Sequence, residues 1–199
     1  MSKNSVKIRR YIVVFSVLLM SLIACQENYT PKSRGYCRID LPDHLYQPFD
    51  TNFPYTFEYS KSAMVVTESE RFRAPYWMNI NYPDFNGTVY ISYLPVNNNL
   101  TQLMEDSRTF VMKLIPKVNA IDERVVLSRQ NNVYGIIYEI AGVDAASTYQ
   151  FFLTDSVNNF VRGSLYFNNV PNNDSLQPVI SFIREDMEHL IRTFQWKEN

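Results

Sequence analysis

YWMNINYPDFNGTVYISY, residues 76–93, sets the fold class. Tyr76, Met78, Ile80 and Tyr82 alternate with Trp77, Asn79 and Asn81, then Pro83-Asp84-Phe85-Asn86-Gly87 supplies turn formers, and Val89, Ile91 and Tyr93 alternate on the way back. Successive side chains of a strand point to opposite faces, so a period of two with amides on one side reads as an antiparallel hairpin with one wet face.

Downstream the period changes. Leu103, Met104, Ser107, Phe110, Val111 and Leu114 recur at helical spacing from Leu100 onward, and Pro116 ends the segment. Strands are then predicted over residues 124–128, 133–140, 148–154 and 160–167, with Asn and Asp at the turns between them. DSLQPVISFIREDMEHLIRTFQW, residues 174–196, closes the chain as an amphipathic helix. Asp174 or Ser175 is its expected cap, Pro178 its first turn, and Val179, Ile183, Met187, Leu190 and Phe194 its apolar stripe.

Upstream of the hairpin, Tyr55 to Tyr59 alternates and Ala63 to Thr67 follows, which predicts a first hairpin before the charged loop TESERFRAP, residues 67–75. PKSRGYCRIDLPDHLYQPF, residues 31–49, fits neither a helix nor a clean strand, because Pro42 and Pro48 interrupt it and Gly35 relaxes it. It reads as an extended arm on the domain. Strands, helix, strands, helix is the order of an α+β fold, a mainly antiparallel sheet packed by helices. That order resembles the Mog1/PsbP-like sandwiches.

The first residues are of another kind. Lys3, Lys7, Arg9 and Arg10 precede an apolar block from Tyr11 to Ile23, the layout of a secretory signal peptide. The block is shorter than the roughly 20 apolar residues that cross a bilayer. Leu22-Ile23-Ala24-Cys25 resembles the bacterial lipobox, whose cysteine takes a diacylglycerol on sulfur before the leader is cut and the new amino group acylated. One acyl chain holds a protein marginally, at about 0.8 kcal/mol per buried CH₂, and two or three, palmitate among them, hold it firmly. Cys25 is therefore the expected lipidation site and membrane anchor. The alternatives are an ordinary cleaved signal with a chance cysteine, or a Cys25–Cys37 disulfide, since these are the only two cysteines. The reading divides the chain into signal peptide 1–24, lipidated cysteine with tether and arm 25–50, and one α+β domain 51–199.

Removing residues 1–24 of 199 leaves 175 residues, and removes four of the 19 Lys+Arg, which leaves 15 against 20 Asp+Glu and a net charge of −5. No basic patch with interleaved aromatics occurs, which argues against nucleic acid as a partner. Gly is scarce, at five, and no phosphate-cradling loop or nucleophile elbow is present. His44 and His189 lie in no metal-ligand spacing, and His189 is placed to pair with Glu185 one turn earlier. No metal, cofactor or catalytic residue is expected. Asp155-Ser156 reads first as a turn. Asp155-Ser156-Val157 and Asp174-Ser175-Leu176 also resemble the Asp-Ser/Thr-apolar acceptor of bacterial O-glycans, which makes Ser156 and Ser175 candidate O-glycosylation sites. With 14 Tyr, 13 Phe and two Trp, aromatics exceed the needs of turns and loops. Most belong to the core, while Tyr36, Tyr46 and Trp77, with Arg34, Arg38 and Asp40 as polar neighbours, are candidate interface residues.

Several segments carry a family resemblance: PKSRGYCRIDLP (31–42), WMNINYPDFNG (77–87), EDSRTF (105–110), AASTYQFFLTDS (145–156), FVRGSLYF (160–167) and PNNDSLQPVISFI (171–183). In this order, after a lipobox, they resemble the gliding-motility lipoprotein GldD family of the Bacteroidota. The resemblance implies a lipid-anchored envelope protein required for gliding, linked to type IX protein secretion and without enzymatic activity, whose partners are other gliding and secretion proteins of the envelope. Cys37 stands where the family motif expects an aromatic. Cys25-Gln26-Glu27-Asn28 lacks the acidic cluster of surface-exported lipoproteins, which favours the periplasmic side of either membrane. The competing reading of the aromatic-rich sheet is a small-ligand or lipid-binding module, which requires a closed apolar pocket of several hundred Å³.

Overall fold

Residues 39–67, 74–170 and 172–197 are described by the computed structural model. The strands in chain order are β1 (Tyr46–Phe49), β2 (Tyr55–Ser60), β3 (Met64–Thr67), β4 (Met78–Tyr82) and β5 (Gly87–Pro95). Helix α1 (Leu100–Met112) follows, then β6 (Ala120–Ser128), β7 (Val133–Ala141), β8 (Ser147–Thr154) and β9 (Asn159–Phe167), helix α2 (Asn173–Thr193) and the short β10 (Gln195–Trp196). All belong to the compact unit Cys37–Asn199. Among the described residues no helix is long and apolar enough to cross a membrane.

The hairpin forms from Met78 onward; Tyr76, expected in the alternation, instead sits before the strand in a turn at φ 65. Ile80 stands opposite Val89 and Met78 opposite Ile91, and a short 3-10 turn over Pro83–Phe85 ends on Asn86 at φ 52, a left-handed position that Asn tolerates. Met78, Ile80 and Tyr82 are buried and Asn79 and Asn81 only partly so, the alternation that one covered face dictates. Around this hairpin grows a seven-stranded antiparallel sheet in the order β3-β4-β5-β9-β8-β7-β6. The fold is α+β, with a helix on each side of that sheet.

One face buries Ile80, Val89, Ile91, Ile137, Phe151, Leu153, Val161 and Leu165 against Val179, Ile183, Met187 and Leu190 of α2. The other buries Tyr138, Ile140, Phe152 and Phe160 with Val111 of α1. Each fully buried apolar side chain contributes about 1.5–3 kcal/mol, so the α2 side, with the longer stripe, carries most of the stabilisation. Gly163 shows how close that packing is: a Cβ there would stand 2.2 Å from the Phe151 ring, its cross-strand partner. Only a glycine lets the ring lie across the strand.

Four further expectations need correction. The segments 55–59 and 63–67 do not form a hairpin. β2 pairs with β1 and β10 in a separate three-stranded sheet while β3 joins the large one. Tyr55 and Phe57 stack with Phe49 and Phe194, and that aromatic cluster draws β2 to the end of α2. The arm likewise ends in strand β1, because Tyr46 to Phe49 finds a partner edge that its own pattern does not announce. Ser175 does not cap α2. Asn172 is the N-cap, without a side-chain cap bond, and the Asn173 amide turns back to donate to the carbonyls of Gly142 and Ala145 at 2.6 and 3.0 Å. Pro178 accordingly sits inside the helix. In α1, Met104 and Phe110 do not join the core stripe: Ser107 and Val111 are its buried residues and Phe110 is exposed.

Candidate functional site

The arm meets the body through a set of polar and aromatic residues on the face of α2 adjoining its apolar stripe. Phe182, Asp186, His189 and Thr193 recur at three- and four-residue spacing, which places them along one side of the helix. His44 of the arm stacks on Phe182, with centroids 4.4 Å apart, and its Nδ1 meets Asp186 Oδ1 at 2.7 Å. The other ring nitrogen, Nε2, faces Glu185 Oε2 at 3.2 Å. Tyr46 lies flat on His189, centroids 3.5 Å apart and planes within 3°, and His189 Nε2 reaches Glu58 Oε2 of β2 at 2.7 Å. The Glu58 amide donates to Thr193 Oγ1 at 2.9 Å. The expected His189–Glu185 pair is replaced by these two crossed contacts, since the arm and β2 each bring a stronger partner to the helix.

Asp186 is the centre of this clamp. It is 2% exposed, and its second oxygen accepts from the buried Tyr82 hydroxyl at 3.1 Å. A buried carboxylate is tolerated only when its oxygens are satisfied, and here arm and sheet both supply donors. Burial, reinforced by the Asp186 charge, raises the Tyr46 hydroxyl to about 12 and pushes the Tyr82 hydroxyl well above the ordinary tyrosine range. A carboxylate that far inside an apolar stripe was a signal available in the sequence at position 186.

The opposite face of the large sheet is covered unevenly: Thr88, Gln150 and Ser164 are buried while Tyr90 and Tyr166 beside them are exposed. α1 lies over Tyr138, Ile140, Phe152 and Phe160, and stops there. Beyond its edge, Tyr90 and Tyr166 meet edge to face, centroids 5.8 Å apart, and are 40% and 37% exposed. Further along, Val66 and Met64, paired with Asn79 and Asn81, are 40% and 58% exposed. At the α1 border the Arg162 guanidinium lies over the Phe110 ring, 4.2 Å from its centroid. Desolvation there lowers the guanidinium's pKa, with Tyr166 and Asp106 opposing. Among the described residues no carboxylate stands within ion-pair distance of Arg162. Asp106, the charge that most nearly reaches it, already accepts from Gln102 Nε2 at 2.8 Å.

The hollows in the surface are of another character. One of about 310 Å³ runs between the β6–β7 strands and the start of α2, lined by Asp122, Glu139, Thr148, Asn173, Gln177 and Arg184 among others. It opens to solvent, and its lining is mixed, with Ile140, Val143 and Ile180 among the polar side chains. Beside it Arg124 bonds Glu188 and Glu139, Arg184 bonds Glu139 at 3.1 Å, and the Tyr149 hydroxyl donates to Glu188 at 2.8 Å. This is not the closed apolar pocket that a lipid or small-ligand carrier requires. Among the described residues no group of three or more His, Cys, Asp and Glu side chains is placed to hold a metal.

Of the residues singled out in the sequence, Cys25, Arg34, Tyr36, Cys37 and Arg38 lie outside the described residues. Tyr46 and Trp77 fall in different places: Tyr46 on His189, and Trp77 with its indole N–H donating to the Tyr93 carbonyl at 2.8 Å. Asp40 is exposed on the arm. Ser156 is exposed at φ 67 in the β8–β9 turn, and Asp155 builds that turn by accepting the amides of Val157, Asn158 and Asn159 at 2.8–2.9 Å. Burial opposes the Asp155 charge, but these bonds outweigh it and hold the carboxyl below the usual range. Ser175 is exposed in the first turn of α2. Missed entirely were Asp186, Tyr82, Arg162, Tyr90 and Tyr166.

Comparison with known proteins sets these features in a family. Residues 26–196 match the model of the gliding motility lipoprotein GldD. The chain is also similar to the solution structure of cyanobacterial PsbP (CyanoP) from Synechocystis sp. PCC 6803, at 14% identity over 82% of this chain and 98% of that one, with a TM-score of 0.48. No curated protein matches it.

Proposed function

The chain belongs to the family of the gliding motility lipoprotein GldD, and we propose that it acts as a non-enzymatic assembly or stabilising factor for gliding and type IX secretion, anchored through Cys25 on the periplasmic side of the envelope. As a member of that family it is a membrane-anchored cell-envelope lipoprotein. The observation that carries the proposal is the extent of the match, which begins at residue 26, the position after the lipobox cysteine, and runs to 196. A thioether-linked diacylglycerol with an N-acyl chain on Cys25 holds the domain at a bilayer without a membrane-spanning helix.

The clamp supports the non-enzymatic part of the reading. His44 and His189 are the side chains best suited to general acid–base chemistry, and both face carboxylates while stacked on aromatic rings. A catalytic base must reach a substrate proton at about 2.6–3.2 Å, and these nitrogens point at partners of the protein's own fold. Their role is to hold the arm between tether and body in one place.

The test is a crosslinked pull-down from intact envelopes, with membrane fractionation and intact-mass measurement, comparing the native lipoprotein with Cys25→Ala. The proposal predicts added acyl mass on the native form, its loss in the variant, and co-purification of gliding and secretion proteins with the native form alone. Recovery of no envelope partner, or equal recovery with the unlipidated variant, overturns it.

A further inference from the structure

The part of the large sheet that α1 leaves uncovered has the make-up of a docking surface. Phe110, Arg162, Tyr90 and Tyr166 share one face from the edge of α1 across β9 to β5, and Val66 and Met64 of the edge strand stand on the same face beyond Asn79 and Asn81 of β4. Tyr, Arg, Met and Phe are the residues enriched at the centres of protein interfaces, where large rigid side chains are desolvated with little loss of conformational freedom. Tyr90 and Tyr166 are in contact on neighbouring strands, and Val66 and Met64 lie on the same face across the Asn79 and Asn81 pair of β4.

From this cation, which no carboxylate among the described residues reaches, we infer that the face docks a protein partner that presents a carboxylate among apolar side chains, the carboxylate seated on Arg162. The inference rests on the proposed assembly role and names the surface that performs it. The guanidinium already lies over the Phe110 ring, 4.2 Å from its centroid, so part of the cost of ordering it for a bidentate carboxylate contact is met beforehand. Nothing else among these side chains is acidic, which leaves one positive charge for one negative group.

Two other occupants fit less well. An anionic bilayer is held by clusters of four to eight cations, whereas this face offers Arg162 and, at its border, Lys113, 5.2 Å from the Phe110 centroid, on a chain of net charge −5 without its leader. A second copy placed face to face about a two-fold axis through this surface brings Arg162 toward its own symmetry mate, since an isologous contact repeats the same residues on both sides. That juxtaposes two partly desolvated like charges.

The experiment uses the full lipoprotein in the envelope of a gliding host, with benzoylphenylalanine in place of Tyr90 or Tyr166 and, as a control, in place of the exposed Val157 of the β8–β9 turn. The expected result is a discrete protein adduct from positions 90 and 166 and not from 157. Its crosslinked peptide contains Asp or Glu, its yield falls at least about tenfold in R162E, as for loss of a central anchor, and it is restored when that acidic residue is changed to Arg. If R162E unfolds, Tyr90→Ser with the probe at 166 carries the test, since Tyr90 is exposed and its truncation leaves the core alone; the same loss of adduct is expected. A lipid adduct alone assigns the face to the bilayer, an adduct of twice the chain mass assigns it to self-association, and no adduct, or one undiminished by R162E, removes the inference. In each of these cases continued recovery of envelope partners through Cys25 would leave the assembly role standing on a different surface.

Discussion

Replacing Asp186 with Ala should loosen the arm and lower the stability of the whole domain, by an amount the clamp geometry sets. The Tyr82 hydroxyl is buried and would lose its acceptor, a cost of about 1–3 kcal/mol for an unsatisfied buried donor. His44 would lose its 2.7 Å partner, but its side chain is 27% exposed and keeps Glu185, so water replaces part of the loss and its share is about 1 kcal/mol. Together these give about 3 kcal/mol, the lower end of what breaking a buried charge pair costs. For a domain of this size each kcal/mol moves Tm by about 2–4 °C, so the midpoint should fall by about 6–12 °C. Urea unfolding gives the free energy, and amide exchange over residues 39–49 tells whether the arm is released. Asp186→Asn keeps an acceptor for Tyr82 and should cost less than Asp186→Ala. The reasoning fails if Asp186→Ala costs under about 1 kcal/mol and leaves β1 amides as protected as before, because a buried carboxylate joining arm to sheet cannot then be what holds the arm.

Gly163→Ala should destabilise by about 1–3 kcal/mol, since the new Cβ meets the buried Phe151 ring at 2.2 Å, and Gly163→Ala with Phe151→Leu should recover part of it; equilibrium unfolding of the single and double variants checks both. Asp155 has a folded pKa below its unfolded value, so the stability it adds is present above about pH 4 and is lost as pH falls through the folded value. Asp155→Asn should therefore be less stable than the native chain at pH 7 and converge with it in acid, and parallel unfolding profiles at both pH values would refute the turn assignment. Tyr46 is raised to about 12, and Tyr82, Tyr55 and Tyr149 are raised as well, burial being the first cause in each. An unfolded tyrosine ionises near pH 10, so their stabilisation is complete below that pH and is lost as pH climbs toward the folded values. Spectrophotometric titration should show these phenols ionising only as the fold opens.

What was legible in the sequence followed from periodicity. The hairpin from Met78, the position of α1 though not its whole stripe, the four-strand meander and the apolar stripe of α2 repeat at a period that one buried face imposes, and they appear where that period places them. The failures have one physical character: each depends on a partner far along the chain. Tyr46 to Phe49 becomes a strand because β2 offers an edge, and β2 leaves β3 because Phe194, more than 130 residues away, stacks on it. β6 starts at Ala120, four residues before the predicted strand, because β7 pairs with it to the end, although Asp122 and Glu123 give no alternation of their own. The candidate interface was hardest to see. Tyr90 and Tyr166 alternate like any strand aromatics, and only the length of α1 decides that they stay uncovered.

The two faces of the large sheet therefore divide the work. On the α2 side the arm is locked by His44, Tyr46 and Asp186, so the segment that leads from the tether is tied to the longest helix and, through Tyr82, to the sheet itself. On the α1 side the sheet presents Tyr90 and Tyr166 to solvent, with the half-buried Arg162 over Phe110 at their border. An anchored domain gains effective concentration for its partner only if its binding surface stays accessible while the tether is held. Fixing the arm against α2 leaves the Tyr90–Tyr166 face open. Releasing the arm by Asp186→Ala should accordingly weaken partner crosslinking at Tyr90 less than R162E does, because the first change alters presentation and the second removes the contact.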